Sequence, residues 1–176
     1  MTDENVLRAQ GRGIVQALRL LGDVTKHPVS MDTKESRIRV QKLVYLLKVG
    51  RYAPAQKFDF NLYQNGPYSP GLTQIYYLYG NDGIATASPA TDLPRELVET
   101  LKEADSKGVE FLEALATALD TSASIAREHG VAHDLARGLA WAQSIKPQIK
   151  DATWREVRAF LRLHPDLAGI TSTRAT

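Results

Sequence analysis

Residues 34–49 read KESRIRVQKLVYLLKV. A candidate N-cap, Asp32 or Thr33, precedes them, and a candidate C-terminal stop, Gly50, follows them. Threonine and aspartate are favoured at helix N-caps, and glycine is favoured just after a helix ends. The main apolar residues fall within one sector of about 100° on a helical wheel, and they are Val40, Leu43, Val44 and Leu47. The stretch therefore predicts an α-helix over residues 34–49 whose apolar side packs in a core.

The segment after this helix changes period. In residues 58–63, FDFNLY, apolar and polar residues alternate, which is typical of a half-buried strand. Turn-forming residues follow. Ser69 is a favoured N-cap and Pro70 is a favoured first helical residue, so a helix is expected from Pro70 to Gly80. Residues 84–87 are expected to form the returning strand. These residues predict a small two-stranded β element after the second helix.

Helical periodicity dominates the rest of the chain. A first helix is expected from about Asn5 to Leu21. Four later helical segments are expected after residues 88–93, covering 97–119 with a bend at Gly108, 121–130, 131–145 and 153–164. The fold class is therefore mainly α, with about six to seven helices and a small two-stranded sheet. Residues 1–170 are expected to form one domain, with residues 171–176 as a disordered tail.

The composition excludes several classes of protein. The chain has 176 residues and no cysteine, so disulfides, zinc–thiolate sites and thiol nucleophiles are excluded. The first residues are acidic and polar, unlike the basic start of a signal peptide. A membrane helix needs about 20 apolar residues, whereas the longest strongly apolar run is residues 43–47. We therefore expect a cytoplasmic protein that does not span a membrane.

The formal net charge of +2 conceals a segregation of charge along the chain. Residues 1–60 carry a net +5, residues 61–90 carry −1 and residues 91–151 carry −4. Clustered lysine and arginine favour phosphate backbones, so direct binding of nucleic acid is one interpretation. A solvated polar face on an amphipathic helix is the other. The candidate nucleic-acid contacts are Lys34, Arg37, Arg39, Lys42, Lys48 and Arg51.

The run NGPYSP at residues 65–70 is the most distinctive motif. It is compatible with a rigid turn between strand and helix, and equally with an aromatic loop displayed to a protein partner. Tyrosine is enriched in interaction hot spots, because it supplies contact area at low entropic cost. The predicted partner-binding residues are Gln41, Tyr45, Tyr63, Gly66, Pro67 and Tyr68.

No motif in the chain demands catalysis. His129 and His133 are four residues apart, but no third metal ligand accompanies them. Ser69 has no neighbouring base in the sequence, and a capping role explains it better than a nucleophilic one. We therefore expect no catalytic residues, no metal and no cofactor.

The order of these motifs resembles a known group. VQKLVYLL at 40–47, FNLY at 60–63 and GPYSPGL at 66–72 resemble the YwgA-like family of small bacterial and archaeal proteins. FLEALAT at 111–117 and the Lys146-Pro147 pair resemble the later part of that pattern. The family is similar to Panacea (SocA-like) antitoxin domains and to the toxin-binding domain of the macrodomain antitoxin that opposes DNA-ADP-ribosylating toxins.

This resemblance implies a non-enzymatic interaction module, antitoxin-like or associated with phage defence. Its expected partner is a protein, a toxin or defence effector, that acts on nucleic acid. The alternative is a winged-helix-like transcriptional regulator that binds DNA with the basic helix 34–49. The identity of the partner and the oligomeric state stay open at this point.

Overall fold

The structure, a computed structural model, describes residues 3–130 and 132–167. Within these residues the chain forms seven α-helices and one two-stranded antiparallel sheet, which confirms the predicted fold class. A 3₁₀ helix, Ala53–Lys57, joins α2 to β1. In chain order the elements are α1 (Asp3–Thr25), α2 (Lys34–Val49), β1 (Asn61–Tyr63), β2 (Gly66–Tyr68), α3 (Pro70–Thr86), α4 (Arg95–Ser106), α5 (Val109–His129), α6 (Leu135–Ile145) and α7 (Asp151–Leu163).

Helix α2 has the predicted bounds and is buried over most of its length. The Thr33 hydroxyl accepts a hydrogen bond from the Ser36 backbone N–H at 3.0 Å, and the Gly50 N–H donates to the Leu46 carbonyl at 2.9 Å. The nine consecutive residues 39–47 are all buried, because α2 packs against α4, α5, β2 and the 3₁₀ helix. The centre of α2 therefore has no free polar face.

The sheet is a hairpin formed by residues 61–68. Leu62 pairs with Pro67 and Tyr63 pairs with Gly66, so two residues form the loop. The predicted returning strand at 84–87 is wrong, because residues up to 86 belong to α3, which kinks at Gly80 rather than ending there. The predicted first strand begins three residues later than expected, at Asn61.

The later helices depart from the expected bounds at one glycine and one threonine. Gly108, with φ of 91°, separates α4 from α5, where a single bent helix is predicted. Thr121 does not cap a new helix but lies buried inside α5, where its hydroxyl donates to the Gly138 carbonyl at 2.7 Å. Gly138 allows the close approach of α6 to α5, since a Cβ there would lie 2.7 Å from Ser122 Cα.

The chain ends add two observations. Helix α7 begins at Asp151, two residues before the predicted cap. The start predicted at residue 131 and the tail at 171–176 lie outside the described residues. Among the residues that the structure describes, every helix is too short or too polar to cross a membrane.

Candidate functional site

The hairpin and the start of α3 are fixed to α2 by the side chain of Gln41. The Ser69 backbone N–H donates to Gln41 Oε1 at 2.9 Å, and Gln41 Nε2 donates to the Ser69 carbonyl at 3.1 Å. Gln41 is buried, so the prediction that it is exposed on the surface is wrong, although it lines the groove described below. Its amide instead satisfies backbone groups that would otherwise be buried without partners.

Two buried lysines hold the hairpin from below. Lys42 Nζ donates to the Pro67 carbonyl at 2.6 Å, and Lys146 Nζ donates to the Gln64 carbonyl. Lys146 also pairs with Glu113 Oε1 at 3.0 Å. The two lysine residues are 1% and 3% exposed. Lys42 is therefore a structural anchor, and it is not the exposed cation that the predicted contact with nucleic acid requires.

The environment of Lys42 changes its protonation. Burial lowers the pKa of Lys42 to about 7, and the positive charge of Lys146 acts in the same direction. The carboxylates of Glu113 and Asp120 oppose this change. An ammonium ion that leaves water loses its hydration, which favours the neutral amine. The hairpin therefore rests on an amine that titrates near neutral pH.

Tyr45 links α2 to α5. Its hydroxyl donates to Asp120 Oδ1 at 3.3 Å, and its ring meets Phe60 edge to face at 5.3 Å. Burial raises the pKa of Tyr45 well above its usual value, and burial also raises the pKa of Asp120. Tyr45 is buried, so its predicted contact with a partner is wrong as well.

Arg39 is the remaining buried residue of the predicted nucleic-acid set. Its Nε and Nη2 atoms donate to the two oxygens of Asp105, each at 2.7 Å. Nη2 also donates to the His27 carbonyl at 3.0 Å. The predicted contact of Arg39 with nucleic acid is therefore wrong, because the guanidinium is buried and forms a bidentate ion pair with Asp105.

Above these anchors lies a groove of about 340 Å³ that we call the tyrosine groove. The hairpin contributes Tyr63 and Tyr68, whose rings meet edge to face at 5.4 Å. Helix α3 contributes Tyr76 and Tyr77, whose ring centroids are 5.0 Å apart. Tyr63 is 53% exposed and Tyr77 is 61% exposed, which is unusual for residues of this size.

A threonine between the tyrosines orients two of them. The Thr73 hydroxyl lies 2.8 Å from Tyr68 Oη and 3.1 Å from Tyr76 Oη. It also accepts from Gln41 Nε2 at 3.0 Å, which links the floor of the groove to α2. The groove is therefore a preformed surface, with two oriented tyrosines and two exposed ones.

The other predicted residues divide between this groove and its surroundings. Gly66 and Tyr68 line the groove, whereas Pro67 is buried in β2, where its carbonyl binds Lys42. Lys34 and Arg37 line the groove where α2 begins, and Arg37 Nη1 donates to the Met31 carbonyl at 2.7 Å. Lys48 and Arg51 lie away from it, beside the C-terminal end of α2.

The sequence left four residues of the site unassigned. Glu113 and Lys146 gave no signal, because their partners are 33 residues or more away in the chain. Tyr76 and Tyr77 lie in the stretch 61–90, which has a single charged residue, Asp82. The scarcity of charge there was the available sign that these tyrosines border an interaction surface.

No three His, Asp or Glu side chains within residues 3–130 and 132–167 are placed to hold a metal ion. A scan of protein-family models found no match to this chain, and neither the curated proteins nor the solved structures compared with it include a match. The resemblance to the YwgA-like family thus stays a prediction.

Proposed function

We propose that this protein is a non-enzymatic binding module, antitoxin-like or associated with phage defence, that holds a partner protein in the tyrosine groove. The single observation that carries the proposal is the exposure of Tyr63 and Tyr77 beside a hairpin that is fixed from below by three buried side chains. Exposed aromatic residues on a rigid support are typical of interaction hot spots.

The rigidity of the support matters for binding affinity. Gln41, Lys42 and Lys146 bind three different backbone carbonyls of the segment 64–69. A surface that is already ordered loses less conformational entropy when a partner binds. This explains why polar residues on α2 face inward: they position the hairpin, and the hairpin presents the tyrosines.

The partner we propose is a toxin or defence effector that acts on nucleic acid, which this cytoplasmic module neutralises or regulates. Support for that identity comes from the resemblance of residues 40–47 and 66–72 to the YwgA-like pattern. The groove supports protein binding in general, since tyrosines line it and only Lys34, Arg37 and Lys42 among its residues are basic.

The alternative, a winged-helix-like DNA-binding regulator, has less support. A recognition helix needs a free face to enter the major groove, and residues 39–47 of α2 are buried. Of the six predicted cations, Arg39 and Lys42 are internal. One observation still favours the binding of nucleic acid: Lys34 and Arg37 line the groove beside four tyrosines.

Co-expression with the neighbouring genes tests the proposal. We expect the tagged protein to co-purify with a neighbour-encoded toxin or effector, and Tyr63→Ala with Tyr77→Ala to abolish that complex. Leu163→Ala is the matched control, because Leu163 is 73% exposed but lies on α7, outside the groove. A protein that purifies alone from every co-expression, or equal loss in the control, would contradict the proposal.

Nucleic acid is tested in the same preparation. The alternative predicts duplex binding that weakens with salt, with a slope of about −0.9 per phosphate contact. Binding that is lost in Lys34→Ala and Arg37→Ala but kept in Tyr63→Ala would favour the regulator over the interaction module.

A further inference from the structure

A second cleft, of about 400 Å³, lies beside the C-terminal end of α2 and against α5. We call it the α2–α5 cleft. It is separate from the tyrosine groove, since the residues that line the two sites do not overlap. Its lining includes the Tyr45–Asp120 pair described above, together with Phe60 from the segment before β1. Its volume is in the usual range of small-molecule sites.

One part of the lining is cationic. Lys48, Arg51, Arg127 and His133 all border the α2–α5 cleft. Within the described parts of the chain, none of these four side chains forms a salt bridge. Arg51 and Arg127 are exposed. Lys48 Nζ donates to the Phe58 carbonyl, and the charge of Arg127 opposes the rise in the pKa of Asp120. Arginine guanidinium groups are well suited to bind phosphate groups.

The backbone conformation of Arg51 places its side chain at the rim of the cleft. Its φ is 62°, in the left-handed region, at the position just after the Gly50 cap of α2. The Tyr52 N–H donates to the Leu47 carbonyl at 3.0 Å across it. Glycine is the usual residue at this position of a helix end. Lys26, just after α1, has a similar φ of 58° and lies outside the cleft, so this conformation sets the direction of the chain after a helix and places Arg51 at the rim.

The other part of the lining offers a hydrogen-bond acceptor. Asp120 Oδ1 accepts from Tyr45, but Oδ2 accepts no hydrogen bond from the residues that are described. Oδ2 is not fully enclosed by protein either. In the described chain, Ser122 Oγ is the only fully enclosed side-chain N or O atom without a hydrogen-bond partner. This oxygen therefore faces the cleft, where it can accept from a hydroxyl or amino group of a ligand.

We propose that the α2–α5 cleft binds a nucleoside monophosphate. Arg51 and Arg127 bind the phosphate, Phe60 and Leu119 contact the base, and Asp120 accepts a hydrogen bond from a hydroxyl or amino group of the nucleoside. A bare anion would be repelled by the buried Asp120 carboxylate. A purely neutral ligand would leave the arginines unused. The combination of exposed arginines, an aromatic ring and two carboxylates, Asp120 and Asp59, fits a ligand with a phosphate and a donor-bearing ring.

Calorimetric titration at low ionic strength with AMP, GMP, CMP and UMP tests this site. At least one of them is expected to bind saturably, and inorganic phosphate is expected to bind at least about tenfold more weakly, since it lacks the base that contacts Phe60 and Leu119. Arg51→Gly and Arg127→Ala should each weaken nucleotide binding by about tenfold or more. Lys57→Ala removes an exposed lysine outside the cleft and is the matched control.

Asp120→Asn separates the two halves of the site. It should weaken nucleotide binding but strengthen phosphate binding, because it removes the carboxylate that repels a bare anion, with folding checked by circular dichroism. Absence of saturation for all four nucleotides at millimolar concentration would overturn the proposal. So would wild-type affinity in both arginine variants, or phosphate binding as tight as nucleotide binding. Tyr63→Ala should bind nucleotide normally, which keeps this site distinct from the tyrosine groove.

Discussion

Gln41 and Ser69 exchange two hydrogen bonds, at 2.9 and 3.1 Å, so that a side-chain amide pairs with a backbone peptide as one strand pairs with another. The two residues are 28 positions apart and almost fully buried. Ser69 is also the N-cap of α3, since its hydroxyl accepts from the Leu72 N–H at 3.3 Å. One glutamine of α2 therefore fixes both the end of the hairpin and the start of the next helix.

Replacing Gln41 by alanine should destabilise the protein by about 1–3 kcal/mol, because two backbone groups of Ser69 lose their partners in a buried site. Gln41→Glu should be comparably damaging, since a carboxylate cannot donate to the Ser69 carbonyl. Urea denaturation measures both. Gln74→Ala, an exposed glutamine on α3, is the control and should change stability by less than about 0.5 kcal/mol. Equal stabilities for the two alanine variants would show that the Gln41–Ser69 pair contributes nothing.

Lys42 should make stability depend on pH above neutrality. Its pKa is lowered from 10.5 to about 7 in the folded protein, so the unfolded chain binds more protons between these values. Stability should therefore rise with pH across this window, with a slope of at most about 1.4 kcal/mol per pH unit from this group. In Lys42→Met the contribution disappears, so the slope between pH 7 and 9 should be smaller than in the wild type.

Urea denaturation at pH 7, 8 and 9 provides that comparison. Lys57→Met, which replaces an exposed lysine on the 3₁₀ helix, should keep the wild-type slope. If the free energy of unfolding changed equally with pH in Lys42→Met and in the wild type, Lys42 would be an ordinary ammonium ion in the folded protein.

Local signals explain how much of this fold was predictable. The bounds of α2 follow from Thr33 and Gly50, and the start of α3 follows from Ser69 and Pro70, because a cap needs only neighbours within one turn. The sequence predicts the second strand at residues 84–87, because the turn-forming residues 64–67 indicate the end of the first strand. In a two-stranded sheet a proline can occupy an edge, and Pro67 does so opposite Leu62.

The candidate site was harder to predict, for a physical reason. Gln41, Lys42 and Tyr45 are polar, and polarity favours a surface position unless a specific partner compensates for burial. Their partners are Ser69, Pro67 and Asp120, which are 25 to 75 residues away. Periodicity cannot reveal such pairings.

The Arg39–Asp105 pair should be strongly coupled. Breaking a buried ion pair from one side leaves an uncompensated charge, so Arg39→Met and Asp105→Leu should each cost about 3–5 kcal/mol. The double variant should cost less than the sum, because no lone charge remains. A double-mutant cycle by chemical denaturation measures this coupling.

The exposed pair Arg19–Asp23 on α1, at 3.0 Å, is the matched control for that cycle. Its coupling should be no more than about 0.5 kcal/mol, since solvent screens both charges. A coupling for Arg39–Asp105 as small as this would mean that the internal pair is no stronger than a surface one.

Gly66 should tolerate no side chain. Its φ is 82°, and a Cβ there would lie 2.7 Å from Thr117 Oγ1 on α5. Gly66→Ala therefore combines backbone strain with a clash beneath the hairpin, and we expect a loss of at least about 2 kcal/mol. Gly130→Ala also requires a positive φ, of 59°, but meets no atom within 4 Å, so it should cost only about 1 kcal/mol. Thermal denaturation of both variants separates clash from strain, and equal losses would rule out the clash.

Arg51→Gly should make the protein more stable and less able to bind nucleotide. Glycine adopts the left-handed conformation without the steric penalty of a Cβ, so the variant should exceed Arg51→Ala in stability by about 1 kcal/mol. The two variants lose the same guanidinium, and their nucleotide affinities should therefore fall equally. Denaturation and calorimetric titration on the same samples compare the two properties. A glycine variant that is less stable than the alanine variant would remove the argument from backbone strain. A stable glycine variant with unchanged affinity would show that the left-handed Arg51 serves neither the fold nor the cleft.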